Sequence, residues 1–161
     1  MTRFHELYER YSRDVYRFVL YLSGDPAMAD DVTSETFIRV WSSPEPVRMA
    51  TVKAYLLTIA RNLWLMERRR GVRSEGLDDT TPGTAQSALR QVEVKDELDR
   101  VLRALQEFPE VDRAALLMRA EEGLSYEEIS VTLGLPLATL KVKIHRARLK
   151  LAKVRNQGVS A

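Results

Sequence analysis

The stretch that decides the fold is Gly123-Leu124-Ser125-Tyr126-Glu127-Glu128-Ile129-Ser130-Val131-Thr132-Leu133-Gly134-Leu135-Pro136-Leu137-Ala138-Thr139-Leu140-Lys141-Val142-Lys143-Ile144-His145-Arg146-Ala147-Arg148. Ser125 followed three residues later by Glu128 is a capping box, which satisfies two orphan amides at a helix start. The helix so begun carries Ile129 and Leu133 and stops at Gly134, the residue type that tolerates a left-handed end. After Leu135-Pro136 the spacing predicts a further helix from Leu137 to about Val154, with Leu140, Ile144, Ala147 and Leu151 on one stripe. A short capped helix, a glycine turn and a second helix make a helix-turn-helix, whose second helix fits the DNA major groove. Such pairs also occur in helical proteins whose basic faces are merely solvated. The charge pattern favours DNA: Lys141, Lys143, Arg146, Arg148, Lys150, Lys153 and Arg155 follow Leu137, with no acid among them.

Working upstream, a short helix is expected around Ala114–Arg119, closed near Gly123. A longer one carries Leu89, Val92, Leu98, Val101, Leu102, Leu105 and Phe108 and ends before Pro109. Between Gly71 and Ser87 helical periodicity vanishes and Gly, Ser, Thr, Asp and Pro dominate. Such a segment offers too little apolar surface to offset ordering entropy and reads as a flexible linker. The expected division is therefore a domain over 1–70, a linker over 71–87 and a helix-turn-helix domain over 88–161.

The first half is also helical. Phe4, Leu7, Tyr8, Tyr11, Val15, Phe18, Val19 and Leu22 form an apolar stripe at helical period. Gly24-Asp25-Pro26 ends that helix and starts another, with Asp25 as N-cap and Pro26 in the first turn. The second helix sets Ala29, Val32, Thr36, Phe37, Val40 and Trp41 on one side and ends at Ser42-Ser43-Pro44-Glu45-Pro46. A third has Val52, Leu56, Ile59, Leu63 and Met66 four and three apart and runs into Arg68-Arg69-Arg70. The fold class is all-α: two small helical domains on a flexible linker.

Composition narrows the function. Apolar residues make up 45 % of the chain, ordinary for a folded protein. No apolar run approaches the roughly 18 residues that span a bilayer, and no secretory core follows Met1, so a cytoplasmic protein without membrane insertion is expected. Cysteine is absent and the two histidines, His5 and His145, are far apart. Neither a metal site nor another cofactor is expected. Carboxylates in the second helix lack histidine partners or a phosphate loop, which argues against an enzyme. The formal net charge of +2 hides a strong asymmetry. Asp25, Asp30, Asp31, Glu35 and Glu45 face only Arg39 between Gly24 and Val47, whereas the C-terminal segment is wholly basic. Two faces of opposite sign suggest two different partners.

The segments Gly123–Ser130, Leu133–Leu135 and Thr139–Arg148 resemble the promoter-reading C-terminal domain of the extracytoplasmic-function (ECF) sigma factors of bacteria, which binds the −35 element. Asp30–Trp41 is similar to that family's acidic polymerase-binding helix. Ala54–Leu63, followed by Arg68-Arg69-Arg70, is similar to its −10-reading helix. The three motifs occur in family order across both halves. Ser34, Tyr55, Met66 and Val142 depart from the usual glutamine, tryptophan, aspartate and small polar residue. Val142 bears most on function, because an apolar side chain on the reading face can meet a thymine methyl but cannot donate a hydrogen bond.

The resemblance implies recognition and strand separation without covalent chemistry, with core RNA polymerase, promoter DNA and an anti-sigma factor as partners. Asp30, Asp31, Glu35 and Arg39 would dock on polymerase, with Phe37 and Trp41 divided between interface and core. Asn62 would read a splayed −10 base and Arg61, Arg68 and Arg69 its phosphates, while Trp64 either stacks on a base or lies in the core. The loop from Ser42 to Val52 is a candidate base pocket. In the last helix Lys141, Val142, His145 and Arg146 would face the groove, Thr139 the backbone, and Lys143, Arg148 and Lys150 the phosphates. Competing functions are a sigma-like decoy that titrates an anti-sigma factor, and a stand-alone helix-turn-helix regulator. A decoy has no need of the basic last helix, and a plain regulator leaves the acidic helix and the Asn62 region unexplained.

Overall fold

The computed structural model describes residues 2–43, 51–73 and 96–160. All regular structure among them is helical, as the periodicities predict: α1 (Thr2–Ser23), α2 (Pro26–Ser42), α3 (Val52–Arg73), α4 (Asp96–Gln106), α5 (Glu110–Ala120), α6 (Tyr126–Leu133) and α7 (Leu137–Ser160). The chain divides into two compact units, Met1–Thr84 and Ala85–Ala161. Of the linker expected over 71–87, residues 71–73 belong to the end of α3 instead; residues 74–87, the loop residues 44–50, and Leu89 and Val92 lie outside the described residues.

In the first unit, α1, α2 and α3 pack against one another in all three pairings. Gly24 takes a positive φ of 72° between the first two, and Asp25 then caps α2 by accepting from the Ala27 and Met28 amides. Val15, Phe18, Val19 and Leu22 of α1 meet Ala29, Val32 and Phe37 of α2 and Leu56, Leu57, Ala60 and Leu63 of α3 in the core. Each large apolar side chain buried in this way contributes about 1.5–3 kcal/mol. Thr33 and Thr36 enter the core because their hydroxyls donate one turn back, to Ala29 O (2.6 Å) and Val32 O (2.7 Å). Asp14 of α1 pairs with Lys53 of α3 at 3.6 Å.

The phase of α3 differs from the expected stripe. Its buried residues are Ala54, Leu56, Leu57, Ala60, Leu63 and Trp64, whereas Met66 is 50 % exposed and Ile59 half-buried. Apolar residues lie on more than one side of this helix, so period alone does not choose its inner face; packing against α1 and α2 does.

In the second unit, α7 is the element against which α4, α5 and α6 all pack. Leu105, Leu116, Leu117, Met118, Ile129, Leu140 and Ile144 form its centre. Helix α5 starts at Glu110, four residues before the expected Ala114, and its first turn carries Glu110 and Asp112 where the helix dipole favours anions. The capping box of α6 is present in full: Glu128 N donates to Ser125 Oγ (3.0 Å) and Ser125 N to Glu128 Oε1 (2.9 Å). Gly134 takes φ 68° and turns the chain towards α7, and the Ser130 hydroxyl donates to Leu135 O across the turn. Helix α7 continues to Ser160, six residues beyond the expected Val154.

Candidate functional site

Helix α7 is divided as groove insertion requires. Leu140, Ile144 and Ala147 are buried, while Thr139, Lys141, Val142, His145, Arg146, Arg148 and Lys150 are exposed. Buried residues three and four apart fix the rotation of the helix, leaving positions 141, 142, 145 and 146 together on the free side. Tyr126, in the first turn of α6, lies beside this face: its ring has the Lys141 ammonium 5.6 Å from its centroid and the Arg119 guanidinium at 4.4 Å. Both distances are within cation–π range, so the ring attracts the Lys141 ammonium and the Arg119 guanidinium. Tyr126 was not among the expected site residues; only the three-dimensional turn brings it near position 141.

Lys143, expected at a phosphate, differs from the other described cations of α7. It is half-buried, and its Nζ lies 3.1 Å from Asp112 Oδ1 in the first turn of α5. Lys150 is exposed and its ammonium lies 5.8 Å from the Phe108 ring centroid. With Arg100, Arg103 and Glu107 it lines a groove of about 580 Å³ beside α4.

On α3, Asn62, Arg68 and Arg69 are exposed and Arg61 half-buried. Arg61 and Arg68, and likewise Asn62 and Arg69, are seven residues apart, so the four form a polar stripe along one side. Trp64 is 5 % exposed and belongs to the core. Its indole therefore does not serve as a stacking platform, although the Arg68 guanidinium sits 5.2 Å from its ring centroid. The base pocket expected between Ser42 and Val52 falls largely on residues 44–50, outside the described residues.

On α2, Asp31, Glu35 and Arg39 are exposed at successive four-residue steps, with Glu35 and Arg39 paired at 3.6 Å. They border a groove of about 380 Å³ between α2 and α3, whose floor includes Val32 and Leu63. Exposed Met66 stands on its rim, and Ile38 is 55 % exposed on α2. Neither apolar residue was expected here: Met66 was assigned to the buried stripe, and Ile38 sits among charges. Asp30 is exposed; burial, with the charge of Asp30 adding, pushes the Tyr16 phenol above its usual value. Phe37, 3 % exposed, is core. Its ring stacks edge-on with Tyr8 at 5.0 Å, while half-exposed Trp41 packs on Phe4 at 4.7 Å.

Comparison with known proteins places these faces in a family. The Sigma-70 region 2 family matches residues 7–74, and the Sigma-70 region 4 family matches residues 98–151. The ECF RNA polymerase sigma factor SigE of Mycolicibacterium smegmatis is 40 % identical over 157 residues, covering 94 % of this chain and 61 % of that protein. The ECF RNA polymerase sigma factor SigM of Bacillus subtilis is 31 % identical over 160 residues, covering 96 % of both chains. Among solved structures, the sigma factor RpoE of Bartonella quintana, in complex with the anti-sigma factor NepR, shares the fold. It has a TM-score of 0.76 and 22 % identity, covering 96 % of this chain and 97 % of that one. With both sigma regions in order and a relative matched along nearly its whole length, the chain belongs to the ECF RNA polymerase sigma factors.

Proposed function

We propose that this chain binds core RNA polymerase and directs it to specific promoters, with the exposed stripe of α2 docking on polymerase, α3 reading the −10 element and α7 reading the −35 element. The observation that carries this most directly is the division of α7 into a buried apolar stripe and an exposed basic face. Phosphates supply affinity and base edges supply selectivity, and that face offers groups for both. Sigma factors are not an enzyme class, and the chain acts here as a specificity factor. No helix among the described residues is long and apolar enough to cross a membrane. We place its work in the cytoplasm, with polymerase and the chromosome, and under the control of an anti-sigma partner. Added to bacterial core polymerase on a promoter library, the chain should create a defined set of new transcript starts. Unchanged start sites, together with no polymerase binding, would refute this function.

Two units on one chain can engage two promoter elements in succession. The second contact is then effectively intramolecular, and combined recognition is tighter than either contact alone.

Within α7 the roles separate by measurement. Lys141→Ala or Arg146→Ala should flatten preference at one or two positions of the −35 box, since a good base-edge contact discriminates by about 1–3 kcal/mol. Arg148→Ala should weaken all sequences alike and lower the salt slope by about one. Binding-site selection on the three variants checks the assignment; a changed preference in Arg148→Ala alone would mean that the reading face is rotated.

A further inference from the structure

We infer that Asp112 withholds Lys143 from DNA, so that α7 binds duplexes with one phosphate contact fewer than its sequence offers. The inference rests on the proposal that α7 is the DNA-reading helix. Among the described cations of that helix, Lys143 is half-buried while Lys141, Arg146, Arg148, Lys150 and Lys153 are all exposed. Its ammonium lies 3.1 Å from Asp112 Oδ1, with side-chain exposures of 34 % and 22 %. The two residues are 31 positions apart, so the pair joins the first turn of α5 to the second turn of α7.

Asp112 already neutralises Lys143, so a phosphate gains the full charge of the ammonium only by displacing this carboxylate. Asp112 would then be left unpaired beside a polyanion, and like charge repels. The ammonium therefore releases no DNA counterion while the pair holds. Phosphate clamps strengthen binding to every sequence equally, whereas base-edge contacts act on the correct one. Withholding a clamp lowers background affinity without touching Lys141 or Arg146. Asp112 is thus a positioning residue that favours discrimination over raw affinity.

The test uses the full chain, a labelled duplex carrying a selected −35 sequence and a scrambled duplex, with affinities measured across a salt series. Asp112→Asn should tighten both duplexes alike, severalfold at low salt, and steepen the salt slope by about one. Lys143→Met alone should leave the slope at its wild-type value, and in the Asp112→Asn background should return it there. That reversal distinguishes charge release from a merely structural effect, and thermal melts of each variant confirm folding. Should Asp112→Asn fail to fold, Lys143→Met decides alone. An unaltered slope in folded Asp112→Asn, or a slope lowered by one in Lys143→Met, overturns the inference while leaving the DNA-reading role of α7 intact. If Lys141→Ala and Arg146→Ala leave wild-type binding unchanged, the role of α7 fails, and this inference with it.

Discussion

Arg113→Ala should destabilise the second unit by about 3 kcal/mol or more. Arg113 is 3 % exposed, and its guanidinium donates from Nε to Leu105 O (2.7 Å) and from Nη2 to Phe108 O (3.0 Å) and Gln106 O (3.3 Å). These carbonyls lie at the C-terminal end of α4 and in the turn before Pro109, where intrahelical donors run out. Pro109 itself has no N–H to offer. Hydrogen bonds from a charged donor are each worth about 1.5–3 kcal/mol, and alanine leaves their acceptors without that donor. A unit of this size has only about 4–11 kcal/mol of stability to lose. Hydrogen exchange should show lost protection across residues 96–160 and retained protection across 2–73. Arg113→Lys, which keeps the charge but not the fork of donors, should recover part of the loss. A melt unchanged to within about 0.5 kcal/mol would mean that the carbonyls find other donors.

Reversing both acids of the docking stripe, Asp31→Lys with Glu35→Lys, should weaken polymerase binding by at least about 2 kcal/mol, more than tenfold. The fold should survive. Both residues are exposed, and exchanging the Glu35–Arg39 pair for like charges costs only a few tenths of a kcal/mol. Asp30→Lys provides the internal control, because Asp30 is exposed but lies outside the four-residue succession of Asp31, Glu35 and Arg39. It should affect polymerase far less than the double reversal. Competition against labelled wild-type chain for core polymerase measures both, and undiminished affinity in the folded double variant would move the docking surface elsewhere.

The sequence was most legible where structure is decided locally. Ser125 and Glu128 meet within one turn, Gly134 terminates the helix it follows, and Asp25-Pro26 opens the next helix; these three features announce their elements without help from the rest of the fold. The buried stripe of α7 was legible as well, because Leu140, Ile144 and Ala147 are its well-spaced apolar residues among many cations. In α3 the apolar residues crowd more than one side, so Met66 left its expected buried stripe, and Trp64, open between base and core in the sequence, is buried. Arg113 and Lys143 lay beyond reach for a different reason. One of two arginines in a short helix, or one lysine among seven basic residues, looks like any solvated charge. Their partners, the end of α4 and Asp112, become neighbours only when α4, α5 and α7 pack.

Both tryptophans of the chain, Trp41 and Trp64, belong to the first unit, one half-exposed and one enclosed. Their intrinsic fluorescence is consequently a natural optical reporter for that unit alone, while the second unit is silent at tryptophan emission wavelengths. Unfolding seen by far-ultraviolet dichroism but not by tryptophan emission can be attributed to the second unit without attaching a dye. Trp41, packed against Phe4 near the end of α2, supplies the solvent-sensitive part of that signal, and Trp64, beneath the Arg68 guanidinium, the protected part. A water-soluble quencher such as iodide should therefore divide the emission of the native protein into an accessible and a shielded population, both arising within the first unit.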